Sequence, residues 1–276
     1  MTKAATELTP EQIKTLLHGI TIPSQPQILV DLQLEEMSPD CSLQRIADII
    51  TLDPGLCGSL LKIVNSAAFG LNVLSVHKAC ALLGIQGVLN IANALSIRGA
   101  LSDDDIVSLA RFWDSAADVA MLAANIAQET GLAKPDEIYS VALFHNCGIP
   151  LLMKRFIHYD EILRTAYTSP HILDEENRRL NTDHAIVGYY IAKSWRLPDA
   201  VCSAIRDHHR VQPIFADPFY ADTTSKNLLA ILKMAEHLGG LHRILGEQEE
   251  DLEWQQIGAD VLSYAGLSAA DLGHLK

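Results

Sequence analysis

The 276-residue sequence is short of positive charge: 21 lysines and arginines stand against 34 aspartates and glutamates, a formal net charge of −13. Nucleic acid and anionic membrane surfaces need a basic face that displaces their counterions, so neither is an expected partner. Long apolar runs are missing too. No eighteen consecutive apolar residues occur, and Met1 to Pro10 lack the apolar core of a signal peptide, which makes a cytoplasmic protein the expectation. The cysteines Cys41, Cys57, Cys80, Cys147 and Cys202 are odd in number and lack CxxC spacing, so they read as reduced thiols packed in a core. There is no strand-like alternation, no internal repeat, no GxGxxG and no GxxxxGK[ST], which removes the usual nucleotide-binding loops. A serine hydrolase built on Ser115 is excluded by the lack of a GxSxG elbow.

What the chain does have is apolar residues at helical spacing, 49% of its length being hydrophobic, enough for a large core. A helix is expected after Thr9-Pro10 and another from Gln27 to about Met37, beyond a loop at Ile22-Pro23-Ser24-Gln25-Pro26. Leu43, Ile46, Ala47 and Ile50 mark a third, and Asp53-Pro54 supplies a cap with proline at the first helical position of a fourth, running to about Asn65. Ser75 can cap a helix that Gly84 ends, with another following from Val88. Acidic Ser102-Asp103-Asp104-Asp105 reads as a boundary, because neighbouring carboxylates stay solvated. Beyond it the pattern predicts helices over residues 106–130, 136–144, 159–167, 184–195, 198–208 and 226–238. The stretch from Val211 to Thr224 is the longest irregular segment. It reads as aromatics packed on the bundle, with a lid as the alternative. One or two closing helices are expected after Gly240. The domain expectation is therefore residues 1–101 as an N-terminal helical subdomain, 102–240 as a second bundle and 241–276 as closing helices.

His145, His184, His208, His209 and Glu236 fall on successive helical segments in an order that can converge on one metal site. Imidazole nitrogens and a carboxylate suit iron, manganese or zinc, and a bundle can aim ligands from several helices into one cavity. Each also has a plainer reading. A single helical histidine is commonly a packing residue, and adjacent His208 and His209 point about 100° apart, so one of them is expected to face solvent unless the site lies at a helix end. Asp183 reads as the cap of the helix opened by His184. Lys154, Arg155 and Arg206 read as solvated charges, and His158, His171, His237, His242 and His274 have no motif around them.

The chain resembles the HDOD family, a branch of the HD phosphohydrolase superfamily related to HD-GYP domains. In the first half the matching stretches are Ile22-Pro23-Ser24-Gln25-Pro26, residues 42–47 with Asp53-Pro54-Gly55-Leu56, residues 60–67 and Ala81-Leu82-Leu83-Gly84. In the second they are Phe112-Trp113, residues 143–148, residues 183–188, Trp195-Arg196-Leu197-Pro198 and residues 204–209. The resemblance implies an all-α fold in which an N-terminal helical subdomain packs on an HD-like bundle. In catalytic relatives it also implies an early histidine, a His-Asp pair, later histidines and a late aspartate that bind ions and activate water against a phosphate ester. These positions fall here on Ser115, on His145 and Asn146, on His184 and His208 or His209, and on Glu236.

Ser115 and Asn146 forfeit a nitrogen ligand and an anionic oxygen, whereas Glu236 keeps its carboxylate. The expectation is a bacterial-type signalling module, with a degenerate metal site, that binds a signalling protein or small ligand. No catalytic residue and no cofactor is assigned. An ion held by the set would be iron, manganese, zinc or magnesium. The alternative functions are a metal-dependent phosphohydrolase acting on a nucleotide or other phosphate ester, and a scaffold for homo-oligomers.

Overall fold

The computed structural model describes Leu17, Gly19, Ile20, residues 22–101 and residues 107–275, and all regular structure among them is helical. The helix expected after Thr9-Pro10 and the acidic boundary at residues 102–105 lie outside the described residues.

The N-terminal part is built from α1 (Gln27–Glu36), α2 (Leu43–Thr51), α3 (Pro54–Val64) and the long α4 (Val76–Leu101). Local chemistry sets these limits. The Ser42 hydroxyl accepts the Arg45 N–H at 3.2 Å, and the Asp53 carboxylate accepts that of Leu56 at 2.9 Å, so both helices begin on side-chain caps. Asn65 staples the following loop, donating to the Val73 carbonyl and accepting from its N–H, both at 2.8 Å. Gly84, at φ 74° and ψ 173°, breaks the path of α4, a conformation that glycine adopts without a Cβ clash. Within α4, Val76–Ser96 has the length and mean hydropathy (1.4) of a membrane-crossing helix, but half of that window is buried against the protein's own core.

The second part runs through α5 (Val107–Thr130), α6 (Pro135–Phe144), α7 (Gly148–Arg155), α8 (Tyr159–Ala166), α9 (Ile172–Leu180), α10 (His184–Ser194), α11 (Asp199–Asp207), α12 (Val211–Ala216) and α13 (Thr223–Gly239). Three helices close it: α14 (Leu241–Gly246), α15 (Leu252–Ala265) and α16 (Ala269–His274). Helices α7, α9 and α12 are additional to those expected, and three helices close the chain where one or two were expected. Thus the segment read as irregular from Val211 is helical for its first turn and a half, and Phe215 packs edge-on against Tyr264 at 5.6 Å.

One apolar cluster extends from Leu17 to Leu272, so the two parts share a core. Polar contacts pin them together. The buried Trp195 indole donates to the Pro23 carbonyl at 3.0 Å while Gln33 donates to the Trp195 carbonyl at 2.9 Å, which joins the Ile22–Pro26 loop and α1 to the end of α10. Asn90 on α4 donates to Asp136 on α6 at 2.8 Å. The five cysteines are free thiols, and burial pushes Cys80 and Cys202 up to about 11, which keeps them protonated.

Candidate metal centre

Helix α6 is buried from Ile138 to Phe144, so it delivers its C-terminal turn, carrying His145 and Asn146, into the interior. Gly148 opens α7 with its backbone against the first turn of α10. A Cβ added there would lie 2.1 Å from the His184 carbonyl oxygen, so only glycine permits this approach. Asp183 caps α10 by accepting the Ile186 N–H at 2.8 Å, and it also pairs with Arg210 at 2.7 Å. Helix α11 stops at Asp207, which places His208 and His209 in the turn beyond it. Both therefore enter the interior, and neither faces solvent: His208 is fully buried and the His209 side chain is 2% exposed. The site lies at the end of α11, the one placement in which both histidines can reach it. Glu236 arrives from α13, and Glu253 from the first turn of α15.

The four imidazoles share one arrangement. Nδ1 of His145 contacts the Ala142 carbonyl at 2.7 Å, Nδ1 of His208 the Ile205 carbonyl at 2.6 Å, and Nδ1 of His184 and His209 the carboxylates of Glu176 and Glu253 at 2.8 and 2.9 Å. A carbonyl can only accept, so the proton of His145 and His208 sits on Nδ1 and Nε2 carries a lone pair. Oriented histidines of this kind are what metal sites use. The Nε2 atoms of His184 and His208 are 3.2 Å apart, and Asn146 Oδ1 lies 3.2 Å from the latter. Nitrogens about 2.1 Å from a shared ion sit roughly 3.0–3.4 Å apart, so this spacing suits a single transition metal. Ligand atoms of His184, His208 and His209 all lie within 4.8 Å of one another.

The HDOD domain family matches residues 22–211. This chain belongs to the HDOD family. An HDOD domain protein of unknown function from Geobacter sulfurreducens superposes with a TM-score of 0.66 at 22% identity, over 95% of this chain and 90% of that one. A Shewanella amazonensis SB2B protein, named provisionally as a metal-dependent phosphohydrolase, gives 0.70 at 22% identity with the same coverage. An uncharacterized protein of Treponema pallidum (strain Nichols) is 30% identical over 223 residues, 75% of this chain. The chain spans 42% of that relative's length.

Set on the HDOD framework, the departures expected at Ser115 and Asn146 acquire geometry. The buried Ser115 hydroxyl donates to the Phe112 carbonyl of its own helix at 2.8 Å, so its one proton is spent locally. The Asn146 amide donates to Nε2 of His145 at 2.7 Å, so that lone pair is already engaged. Within this cluster two buried acceptors have no hydrogen-bond partner: Nε2 of His209 and Oε1 of Glu236. The latter lies 3.1 Å from Nε2 of His145, within ion-pair distance. Unpartnered buried acceptors around imidazoles fit a cation, and His184, His208, His209 and Glu236 are the residues that could hold it.

Several participants have no counterpart in the sequence reading. Glu176, fully buried on α9, accepts from the His184 backbone N–H at 2.7 Å, from its ring, and from the Tyr159 hydroxyl at 2.6 Å. Lys233 on α13 is 2% exposed, and its ammonium contacts Glu236 at 2.6 Å and Glu253 at 3.0 Å. A lysine inside the apolar run Leu228–Leu232 and Met234–Ala235 was the visible sign, whereas Glu176 sits among charged neighbours and gave none.

The charges are tuned by this packing. Burial, reinforced by the other imidazoles and Lys233, pushes His208 well below the ordinary histidine range, and burial with Lys233 does the same to His209. Burial opposes the charged form of His184, but Glu176 outweighs it and holds that imidazole above its usual value. The two depressed histidines are neutral near pH 7, and the unfolded chain binds more protons than the folded one below about 6.5. Stability contributed by their neutral form is full above that pH and is lost as pH falls. His184 works with the opposite sign, its contribution fading as pH rises through the folded-state value. With two groups against one, the thermal midpoint of the metal-free protein is expected to fall from pH 6.5 to 5. A flat profile over that window, measured by circular dichroism melts, would contradict the assignment.

Proposed function

We propose that this HDOD protein is a regulatory module that works by recognition, with its histidine centre holding at most one ion and performing no ester hydrolysis. The observation that carries the reading is how closed the centre is. His145 and Asn146 are 1% exposed, and His184 and His208 are fully buried. The cavity reaching it through His209, Lys233, Glu236 and Glu253 has a volume of about 20 Å³. That admits about one water molecule, not a phosphate group with its alcohol. The neutral amide of Asn146 supports the same conclusion, because it provides no anionic oxygen to share between ions or to orient a nucleophilic water.

Space for a ligand lies elsewhere. A cavity of about 310 Å³ opens where α3, α4, α5 and α6 meet, lined by Ser59, Lys62, Ser66, Asp118, Met121 and Tyr139 among others. Its size is that of a small-molecule site, and the buried Ser66 hydroxyl at its wall has no partner. This placement favours recognition of a small polar ligand at the seam between the two parts.

The test is turnover. Protein purified without chelator and assayed on nucleotide and aryl phosphate esters with manganese, iron or magnesium is expected to show no hydrolysis above the metal-only background. Hydrolysis that disappears in His184→Ala, with the helical circular dichroism signal intact, would establish the phosphohydrolase instead.

A further inference from the structure

Lysine is among the residues least often buried, and an ammonium taken out of water is costly unless paired. Lys233 is nevertheless 2% exposed, in a stretch of α13 whose neighbours from Leu228 to Glu236 are all buried. Its Nζ lies 2.6 Å from Oε2 of Glu236, 3.0 Å from Oε2 of Glu253 and 3.3 Å from Nδ1 of His209. Two carboxylate oxygens converging on one point form an anionic pair that divalent manganese, iron or zinc takes. Glu236 links this point to the imidazoles, since its other oxygen is 3.1 Å from Nε2 of His145. A carboxylate reaching towards two adjacent cation positions is what a two-metal centre requires.

We propose that Lys233 is a resident counter-cation: its ammonium fills a second cation position, formed by the carboxylates of Glu236 and Glu253, that would otherwise take a divalent metal ion. An ammonium neutralises carboxylates but has no vacant coordination position. It cannot bind a water, lower that water's pKa or polarise a phosphoryl oxygen. The lysine thus keeps the acidic side of the pocket folded without metal and withholds a second Lewis acid from the histidine side.

Lys233→Ala, dialysed to equilibrium against manganese or zinc and counted by elemental analysis, is expected to hold one more ion per chain than the wild type, at least tenfold more tightly at that position. Removing the lysine should lower the thermal midpoint of the metal-free protein, and adding the ion should restore it. Introducing Glu253→Gln alongside Lys233→Ala should abolish the gain. A folded Lys233→Ala protein with wild-type stoichiometry at saturating ion would overturn the proposal. Should Lys233→Ala not fold, Lys233→Gln, which retains a hydrogen-bond donor without charge, is titrated in its place, and the same two outcomes decide. The proposal goes beyond the regulatory reading: ester turnover by the wild type would remove that reading and leave the ion count unaffected, and an unchanged count would do the reverse.

Discussion

Glu176→Ala is expected to lower the thermal midpoint by roughly 10 °C, among the largest effects of any single substitution in this protein. The fully buried carboxylate accepts from the His184 backbone N–H, the His184 imidazole and the Tyr159 hydroxyl, joining α8, α9 and α10. Removing it strands three buried donors and the charge of His184. Breaking a buried, hydrogen-bonded ion pair costs about 3–5 kcal/mol, and each kcal/mol shifts the midpoint of a chain of this size by about 2–4 °C. Glu176→Gln, which keeps one acceptor oxygen, should lose less. Calorimetry showing Glu176→Ala within 2 °C of the wild type would mean that these donors find other partners.

The second large effect belongs to Gly148. An alanine Cβ would sit 2.1 Å from the His184 carbonyl oxygen, 2.9 Å from its carbon and 3.0 Å from the Gly188 nitrogen. Those are backbone atoms that cannot swing aside as a rotamer does, so α7 and α10 must separate. The expected cost is about 3 kcal/mol, at the upper end for overpacking. Because the backbone that must move is that of His184 itself, its ring shifts relative to His208 and His209, and metal affinity should fall at least tenfold in whatever fraction folds. Gly58→Ala is the control. That glycine lies inside α3 with nothing within 4 Å of an added Cβ, so the substitution should stabilise by up to about 1 kcal/mol. Urea titrations of the pair separate the two outcomes, and equal effects would refute the close-contact explanation.

Much of this was written in the chain. Caps at Ser42, Asp53, Ser75 and Asp183 lie where short polar residues precede apolar helical patterns, and the structure uses each as a hydrogen-bond acceptor. The residue set His145, His184, His208, His209 and Glu236 was readable from its order along successive helices, and the structure gathers those side chains into one buried cluster. What sequence could not give was the environment of residues whose type suggests the surface. Glu176 lies in Asp174-Glu175-Glu176 beside two arginines, and only the rotation of α9 decides that it alone of the three carboxylates is fully buried. The orientation of His208 and His209 depended on α11 ending at Asp207, a boundary with no glycine or proline to mark it. Lys233 is legible only as an anomaly, since its meaning depends on Glu253, twenty residues on and in another helix.

If the histidine centre is as closed as its burial indicates, a phosphate group does not reach it. Manganese bound there would relax the ³¹P resonance of any phosphate that entered its coordination sphere, so phosphorus relaxation of inorganic phosphate and a phosphate monoester, measured with manganese-loaded protein, tests it directly. The expected broadening is no greater than in a matched sample of His184→Ala with the same free manganese. Broadening that saturates with phosphate concentration and vanishes in His184→Ala would contradict it.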